Sequence, residues 1–350
     1  MPALDFSKTN TTVNAIYKHY EDNQSSNHRA HLGCSILGEE CKRKLWYILH
    51  WCVTEKHDGQ LLRLFETGQM AEERFVSNLE SVGVTVQEID PDTGEQWRVS
   101  DFNGILGGSL DGIGVGFLEA PKSKHVIEMK THGEKSFKAL VKDGVEKSKP
   151  LHFAQCQLYM GYKKLKRAYY IAVNKNTDEL YQERINYDKK EFEKLKIKAE
   201  QIITSERPLE RIHKDPSWFE CKWCSAHALC HMTATPDVNC RTCTHSVASI
   251  HKEDPQWFCD HYGCALSTDT QRKGDQCPEH RYIPYLLENW AKNPIREKDG
   301  DICYLNKLNE QVFYNGPYSS NEIHAAKDLK IIGNVTVDEI KDKLQGEIIK

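Results

Sequence analysis

The segment HVIEMKTH, residues 125–132, places two opposite charges inside a short apolar run. Because the side chains of a β-strand alternate between two faces, Glu128 and Lys130 would share one face with Val126, and Met129 would lie on the other. Burying a carboxylate and an ammonium is unfavourable unless they have partners. The two residues are therefore expected either to pair with each other or to hold a ligand.

Two further carboxylates precede this segment. Asp111 lies in the glycine-rich segment GGSLDGIG, and Glu72 lies in a predicted helix upstream of it. Carboxylate oxygens are ligands that Mg²⁺ and Mn²⁺ prefer, and a cation held in this way beside a lysine can assist hydrolysis of a phosphate ester. The glycines do not predict a phosphate-binding loop, because no Gly-Lys-Ser/Thr follows and the glycine spacing of a dinucleotide-binding turn is absent.

A predicted helix downstream carries polar side chains on one face. Gln155 and Tyr159 are four residues apart, and His152 lies on the same face. Glu-x-Lys alone is too short to distinguish a structural ion pair from a catalytic site. Asp111 upstream and the Gln-x₃-Tyr pair downstream favour the catalytic interpretation.

Three segments, GSLDG, VIEMKTH and HFAQCQLYMGY, together resemble the RecB-like and lambda-exonuclease-like branch of the PD-(D/E)xK nuclease superfamily, over about residues 35–232. Members often carry a histidine shortly before the helix-borne acid, and this chain departs from that pattern with Gln69. The resemblance implies roles for seven residues: metal ligation by Glu72, Asp111, Glu128 and the Met129 carbonyl, catalysis by Lys130, and DNA contact or ordering of the site by Gln155 and Tyr159. His152, on the same helix face, is a further candidate for DNA contact.

Cysteines are concentrated in one part of the chain, since seven of the 13 lie between Cys221 and Cys264. In a reducing compartment such clusters more often bind metal than form disulfides. Cys221, Cys224 and Cys230 have a C-x₂-C-x₅-C spacing that can hold one metal centre. If that metal is zinc, His227 or His231 is an acceptable fourth ligand.

The resemblance implies a different centre for this triplet. It is similar to the AddB and CRISPR-associated RecB-like nucleases, which close a [4Fe–4S] cluster with such a triplet and one cysteine far upstream. Cys41, which precedes KRKLWY, is the expected fourth ligand, and Cys34 is the alternative. Zinc and iron–sulfur both bind thiolates, and spacing alone does not distinguish them.

A second cysteine cluster begins with Cys240-x₂-Cys243, which is half of a zinc site. Cys259 and Cys277 are the expected other half. The possible substitutes are Cys264, His245, His261 and His280. Zinc bound there would fold a segment that is otherwise poor in core residues. The tryptophans Trp46, Trp51, Trp218, Trp223 and Trp257 are expected to pack around the metal sites.

Apolar periodicity predicts an α/β fold with a mixed central sheet flanked by helices. The resemblance implies that this fold is restriction-endonuclease-like, and the cysteine clusters predict a small Cys-rich metal-binding module in addition. Helices are predicted at 41–51, 65–83, 150–165 and 187–204, and strands at 84–89, 96–102, 104–116, 125–131 and 167–174. Residues 133–149 are read as a Lys- and Gly-rich gap. The predicted units are a nuclease domain (1–235), a zinc-binding module (236–284) and an appendage (285–350).

Composition limits the other classes. The chain has 350 residues, 39% of them hydrophobic, and a formal net charge of −4, so any nucleic-acid-binding surface must be a local patch. No run approaches the roughly 18 apolar residues of a membrane helix. The first ten residues lack the pattern of a signal peptide. A cytoplasmic protein of a bacterium or a phage-infected host is expected.

The expected function is Mg²⁺- or Mn²⁺-dependent exonuclease action on DNA, in end processing or recombination. A strand-annealing or recombination protein is an expected partner by analogy. The alternatives are an endonuclease or spacer-processing nuclease, and a catalytically silent nucleic-acid-binding module with structural metals. The Asp–Glu-x-Lys set argues against silence, because a binding module has no need of a buried like-charged pair.

Overall fold

The computed structural model describes residues 11–24 and 28–347, so the predicted absence of a signal peptide at residues 1–10 lies outside it. The helices within these ranges are α1 (Thr12–Asp22), α2 (Lys42–Leu49), α3 (Gly59–Ser81), α4 (Glu134–Ser148), α5 (Pro150–Lys163), α6 (Lys189–Ile203), α7 (Phe219–Lys222), α8 (His227–His231), α9 (Thr268–Arg272), α10 (Ser320–Ala325) and α11 (Val335–Leu344). The strands are β1 (Leu32–Gly33), β2 (Thr85–Gln87), β3 (Arg98–Asp101), β4 (Leu106–Ser109), β5 (Gly112–Val115), β6 (His125–His132), β7 (Arg167–Asn174), β8 (Leu180–Asn186), β9 (Ser246–Ala248), β10 (Trp257–Cys259), β11 (Cys264–Ala265), β12 (Ala291–Arg296), β13 (Ile302–Asn306) and β14 (Val312–Asn315).

A five-stranded sheet in the order β2-β5-β6-β7-β8 forms the centre of the molecule. β6 and β7 are parallel, and the other neighbours are antiparallel. Two parallel neighbours need a crossover connection, which α4 and α5 provide here. The predicted α/β class, with a mixed sheet flanked by helices, is confirmed.

The two faces of β6 pack against different helices. Ile127 and Met129 contact a cluster that includes Phe75 and Leu79 of α3. Val126, on the opposite face, belongs to the main core with residues of α5 and α6. The alternation predicted for this strand is therefore correct, and it sends Glu128 and Lys130 towards the α5 side.

Residues 133–149 correct one prediction, because they form α4 rather than a gap without regular structure. Phe137 and Leu140, three residues apart, lie on one face of this helix, and both are buried. The helix is distorted at Gly144, which has a φ of +72°. The Glu183 carboxylate accepts the following N–H, that of Val145, at 2.8 Å.

The predicted strand 104–116 is two strands in two sheets. β4 pairs with β1 and β3 in a small three-stranded sheet, whereas β5 joins the central sheet. Asp111 lies in the bend between β4 and β5. Asp111 therefore immediately precedes β5, where its side chain reaches the backbone of β6.

The Cys-rich segment is joined to the first half of the chain by a shared core. Trp257, Cys259 and Leu266 belong to the same buried cluster as residues of α2, β6 and α5. Arg241 is 1% exposed, and its guanidinium donates to the carbonyls of Leu49 and Ala30 at 2.8 Å each. The hydrophobic core thus continues across the expected boundary at residues 235–236.

The last segment has a core of its own. β12, β13 and β14 form an antiparallel sheet whose buried rings include Trp290, Tyr304 and Phe313. Phe313 stacks on both of the other rings. Among the helices of the described ranges, none combines the length and apolar character that crossing a membrane requires.

Candidate active site

The register of the central sheet brings the first two carboxylates together. β5 pairs antiparallel with β6 and aligns Gly112 with Ile127, so the next residues, Asp111 and Glu128, face each other across the two strands. The Asp111 carboxylate accepts the N–H of Met129 at 2.7 Å. This bond fixes Asp111 beyond the end of the strand ladder.

Glu128 and Lys130 form an ion pair, as one of the two sequence-based alternatives requires. Glu128 is fully buried, and Lys130 also donates to the Met129 carbonyl at 3.1 Å. Within residues 11–24 and 28–347, Oε2 of Glu128 has no hydrogen-bond partner. A buried carboxylate oxygen without a partner is unfavourable, so this atom is available to a ligand.

Burial raises the pKa of Glu128 to about 7, the Lys130 ammonium acts in the opposite direction, and Asp111 and Glu72 raise it further. Burial also lowers the pKa of Lys130, but Glu128 and Asp111 more than compensate and leave it above its ordinary value. Lys130 therefore keeps its proton at neutral pH, where it can donate and stabilise negative charge but cannot act as a base.

Glu72 joins the site from α3. Its side chain is exposed, and partial desolvation followed by the Asp111 charge raises its pKa, whereas Lys130 lowers it. The structure thus gathers Glu72, Asp111, Glu128 and Lys130 in one electrostatic environment. Like charges so placed favour a bound cation.

Gln155 and Tyr159 lie beneath the site rather than on its surface, since they are 5% and 2% exposed. Gln155 donates to the Tyr159 hydroxyl at 3.3 Å, and that hydroxyl donates to the Ser109 carbonyl at 2.7 Å. Ser109 ends β4, two residues before Asp111. These contacts favour ordering of the site over DNA contact.

Tyr170 is a site residue that the sequence did not reveal. It pairs with Glu128 in the β6–β7 register, and its hydroxyl is hydrogen-bonded to His132 at 2.8 Å and to His152 at 2.9 Å. One hydroxyl proton serves only one of these rings, so the other ring must donate. The sequence predicts a strand at 167–174, but only the strand pairing shows that Tyr170 lies beside Glu128.

Both histidines of this network are neutral at pH 7. Burial lowers the pKa of His132 to about 4, and nearby lysines, Lys149 first, act in the same direction. Burial also lowers the pKa of His152 to about 3, and Lys130 contributes to that shift. His152, expected as a DNA contact, is committed to the Tyr170 hydroxyl in this structure. Its contact with DNA stays a prediction.

The first cysteine cluster lines one cavity, in which Cys41 meets Cys221, Cys224 and Cys230. Cys41 is the N-cap of α2, and its Sγ accepts the Lys44 N–H at 3.4 Å. Cys34 is fully buried elsewhere, against Gly108. Of the two upstream candidates, Cys41 is therefore the one beside the triplet.

Both cations and acids line this first cavity. Arg43, Lys44 and Arg211 lie there with Glu39 and Glu220, and Lys44 is paired with Glu39 at 2.6 Å. Among the described residues, none is hydrogen-bonded to Nε2 of His231 at this cavity, so the zinc alternative keeps its fourth-ligand candidate.

The second cysteine cluster lines a cavity of about 430 Å³. Its lining includes the four expected ligands and the possible substitutes, namely Cys240, Cys243, Cys259, Cys277, Cys264, His245, His261 and His280. Burial, and then the neighbouring Cys243 and Cys277 thiols, raise the pKa of Cys240 to about 12. Zinc binding at this cluster would therefore have to release protons from these thiols.

Two of the substitutes can be distinguished by their contacts. Both ring nitrogens of His280 are occupied, by Ser320 Oγ at 2.8 Å and the Asn239 carbonyl at 3.0 Å, so His280 serves the fold. Cys264 is exposed and lies opposite Cys259 in the β10–β11 pair. Cys264 therefore remains the nearest alternative to Cys259.

Across residues 11–24 and 28–347, no three His, Cys, Asp or Glu side chains are gathered so that they could hold a metal ion as they stand. Binding at any of the three sites would require side chains to turn inwards. The Mg²⁺ or Mn²⁺, iron–sulfur and zinc assignments accordingly stay predictions.

No protein-family model matches the chain, and no curated protein matches it. Similar solved structures include SSO0001, at 16% identity and a TM-score of 0.36, covering 63% of this chain and 96% of that one. The alkaline exonuclease LHK-Exo from Laribacter hongkongensis has 13% identity and a TM-score of 0.33, and the match covers 53% of this chain and 90% of that chain. The structure of LHK-Exo in complex with dAMP has 13% identity and a TM-score of 0.34, and the match covers 54% of this chain and 89% of that chain. At such low TM-scores the likeness does not assign a function to this chain.

Proposed function

We propose that this chain is a divalent-cation-dependent nuclease that hydrolyses phosphodiester bonds in DNA, with strand ends as the preferred substrate. One observation carries the proposal: Asp111 and Glu128 face each other across two strands, with Lys130 against Glu128 and the Met129 carbonyl. The preference for ends rests on the resemblance of the motifs to the lambda-exonuclease-like branch.

The donor set of this site suits Mg²⁺ or Mn²⁺. Hard carboxylate and carbonyl oxygens are their usual ligands. Oε2 of Glu128 is buried and finds no hydrogen-bond partner among the described residues, which supports its use as a ligand. Lys130 now contacts the two other oxygens that a cation would use, on Glu128 and Met129, so binding would require its ammonium to move aside.

The residues of the chain would have distinct parts in hydrolysis. A bound Mg²⁺ or Mn²⁺ would neutralise charge on the scissile phosphate and acidify the attacking water. Glu72, Asp111, Glu128 and the Met129 carbonyl would hold it. Lys130, protonated because nearby carboxylates raise its pKa, would stabilise the charge that develops on the phosphate oxygens. Tyr159 would keep the Asp111 bend in place through Ser109.

Structural roles fit the two cysteine clusters. A [4Fe–4S] cluster on Cys41, Cys221, Cys224 and Cys230 would tie the start of α2 to the segment after α6. Zinc on Cys240, Cys243, Cys259 and Cys277 would order the Cys-rich segment. The two cysteine-lined cavities and the position of Cys41, rather than Cys34, beside the triplet support these assignments.

A catalytically silent nucleic-acid-binding module is the second candidate, because the Glu128–Lys130 ion pair is also what a purely structural pair would form. Digestion of end-labelled linear DNA and closed circular DNA with Mg²⁺ separates the candidates. Loss of label from linear DNA alone supports the exonuclease, cutting of circles supports an endonuclease, and binding without cutting of either supports the silent module.

A further inference from the structure

Three large aromatic side chains are exposed on the segment that carries the first cysteine triplet. Trp218, Phe219 and Trp223 are 47%, 76% and 75% exposed. Trp46, Trp51 and Trp257 are buried, and their packing around metal sites stays a prediction, whereas the exposure of Trp218 and Trp223 does not fit such packing. Soluble proteins seldom expose adjacent large rings unless they bind something.

Lysines accompany the exposed Trp223 ring. The Lys222 ammonium lies 5.3 Å from the centroid of the Trp223 ring, within the range of a cation–π contact. Trp223 lines an open groove of about 540 Å³ together with His57, the acid Glu55 and three lysines, Lys44, Lys56 and Lys222, of which Lys44 is paired with Glu39. An aromatic groove with an excess of positive charge is complementary to an anionic, base-bearing chain.

The groove connects with the helix that carries Glu72. The His57 ring lies 5.3 Å from the Phe65 ring, edge to face, and Phe65 is 48% exposed on α3. Phe65 and Glu72 are seven residues apart on α3, so they share one helix face and are separated by about 10 Å along its axis. Exposed rings thus extend from the candidate active site towards Trp223.

We propose that Trp223 and Phe65 form a stacking track for an unpaired DNA strand that extends from the active site, with its phosphates against Lys56 and Lys222. The inference rests on the proposed function and names the form of its substrate. A single strand is favoured over a duplex because bases can stack on side-chain rings only when they are not stacked within a helix. The lysines beside the rings favour nucleic acid over an apolar protein surface.

The test is equilibrium binding of a fluorescently labelled oligothymidylate and of a blunt duplex to the full chain, with Ca²⁺ replacing Mg²⁺ to prevent cutting. Trp223→Ala and Phe65→Ala should each weaken single-strand binding at least about fivefold, the loss expected for one stacked base. Trp223→Phe, which keeps an aromatic face, should lose less than Trp223→Ala. Tyr314→Ala, which removes a 40% exposed ring in β14, is the matched control and should bind as the unaltered chain does.

Because Trp223 precedes Cys224, the visible absorption or metal content of the variant must match the unaltered chain. Phe65→Ala, on another element, tests the track independently of the cysteine site. Unchanged single-strand affinity in both alanine variants, or no single-strand binding by the unaltered chain, would overturn the inference even if Mg²⁺-dependent cutting is found. Normal single-strand binding that the two alanine substitutions weaken, without any cutting, would support the track and reject the nuclease.

Discussion

Like charges held across a strand pair define the candidate site at the scale of single residues. Asp111 and Glu128 repel each other, and Glu128 is buried with a pKa raised to about 7, first by desolvation. Such an arrangement destabilises the protein unless a cation or Lys130 offsets it. For folding, Asp111 needs only an oxygen that accepts the Met129 N–H, and its negative charge beside Glu128 adds repulsion.

The charge of Asp111 can be separated from its hydrogen bond. Asp111→Asn keeps an oxygen that can accept the Met129 N–H, so the thermal midpoint should change little. Removal of the charge should lower the cleavage rate by at least about 100-fold, as for loss of a main electrostatic group. Asp92→Asn, in the exposed turn after β2, is the control. A variant with unaltered rate would exclude Asp111 from the site.

Asp111, Glu128 and Lys130 could be predicted because strand alternation and chain order are local properties of the sequence. Tyr170 could not, because its place beside Glu128 depends on the parallel register of β6 with β7, which are joined by two helices. The burial of Gln155 and Tyr159 is likewise a consequence of packing, which helical spacing alone does not reveal.

At the scale of elements, α2 links both halves of the chain. Cys41 caps its first turn, and His50 follows its last residue, stacked on Trp46 at 3.7 Å between centroids and edge to face with Trp257. Two predictions concern these two ends.

Substitution of Cys41 tests the first cysteine site. In anaerobically purified protein, Cys41→Ser and Cys224→Ser should each abolish the broad visible absorption of an iron–sulfur centre. Cys34→Ser should not, because of the two upstream cysteines it is Cys41 that lines the cavity with the triplet. Iron analysis provides the stoichiometry. Colourless protein with zinc and no iron would reject the cluster at this site while leaving the nuclease proposal intact.

Acid should destabilise the fold through His50. Burial lowers the pKa of His50 to about 3. The hydrogen bond to the Trp46 carbonyl raises this pKa, and the Arg241 charge lowers it further. The folded pKa lies below the unfolded value of about 6.5, so the stability contributed by the neutral ring is present above pH 6.5 and is lost as the pH falls towards 3. At pH 5.5 the loss should be about 1.4 kcal/mol. Urea unfolding at pH 7.5 and 5.5 should show a smaller difference for His50→Gln, and an equal difference would contradict this.

Element prediction failed where apolar periodicity was sparse. α4 was missed because its buried pair, Phe137 and Leu140, is surrounded by lysines and followed by Gly144. By contrast, β7 and α5 carry continuous buried patterns, and their predicted positions agree with the structure.

At the scale of the whole molecule, Arg241 joins the Cys-rich segment to the N-terminal half. Its guanidinium lies 3.8 Å from the Trp51 ring centroid and 4.6 Å from that of Trp257, and donates to Leu49, Ala30 and Gln271. The cysteine-rich composition predicted a separate module here. The contacts of Arg241 could not be predicted, because its partners are distant in sequence and local sequence does not reveal them.

Arg241→Met should lower the free energy of unfolding by about 3 kcal/mol or more, since three charge-assisted hydrogen bonds and two ring contacts are lost. Urea unfolding of the full chain measures this. Lys252→Met, at an exposed position of the same segment, is the control and should change little. An Arg241→Met chain as stable as the unaltered one would show that the segment folds independently of the N-terminal half.

The most direct test of the nuclease proposal is the rate of Mg²⁺-dependent release of labelled nucleotides from linear DNA by the unaltered chain, by Lys130→Ala and by Lys124→Ala. Lys124 is exposed just before β6 and serves as the matched lysine. Release by the unaltered chain and by Lys124→Ala, with at least about a 100-fold loss in Lys130→Ala, is the predicted result. No release by the unaltered chain, or equal release by all three, would contradict the assignment of this site.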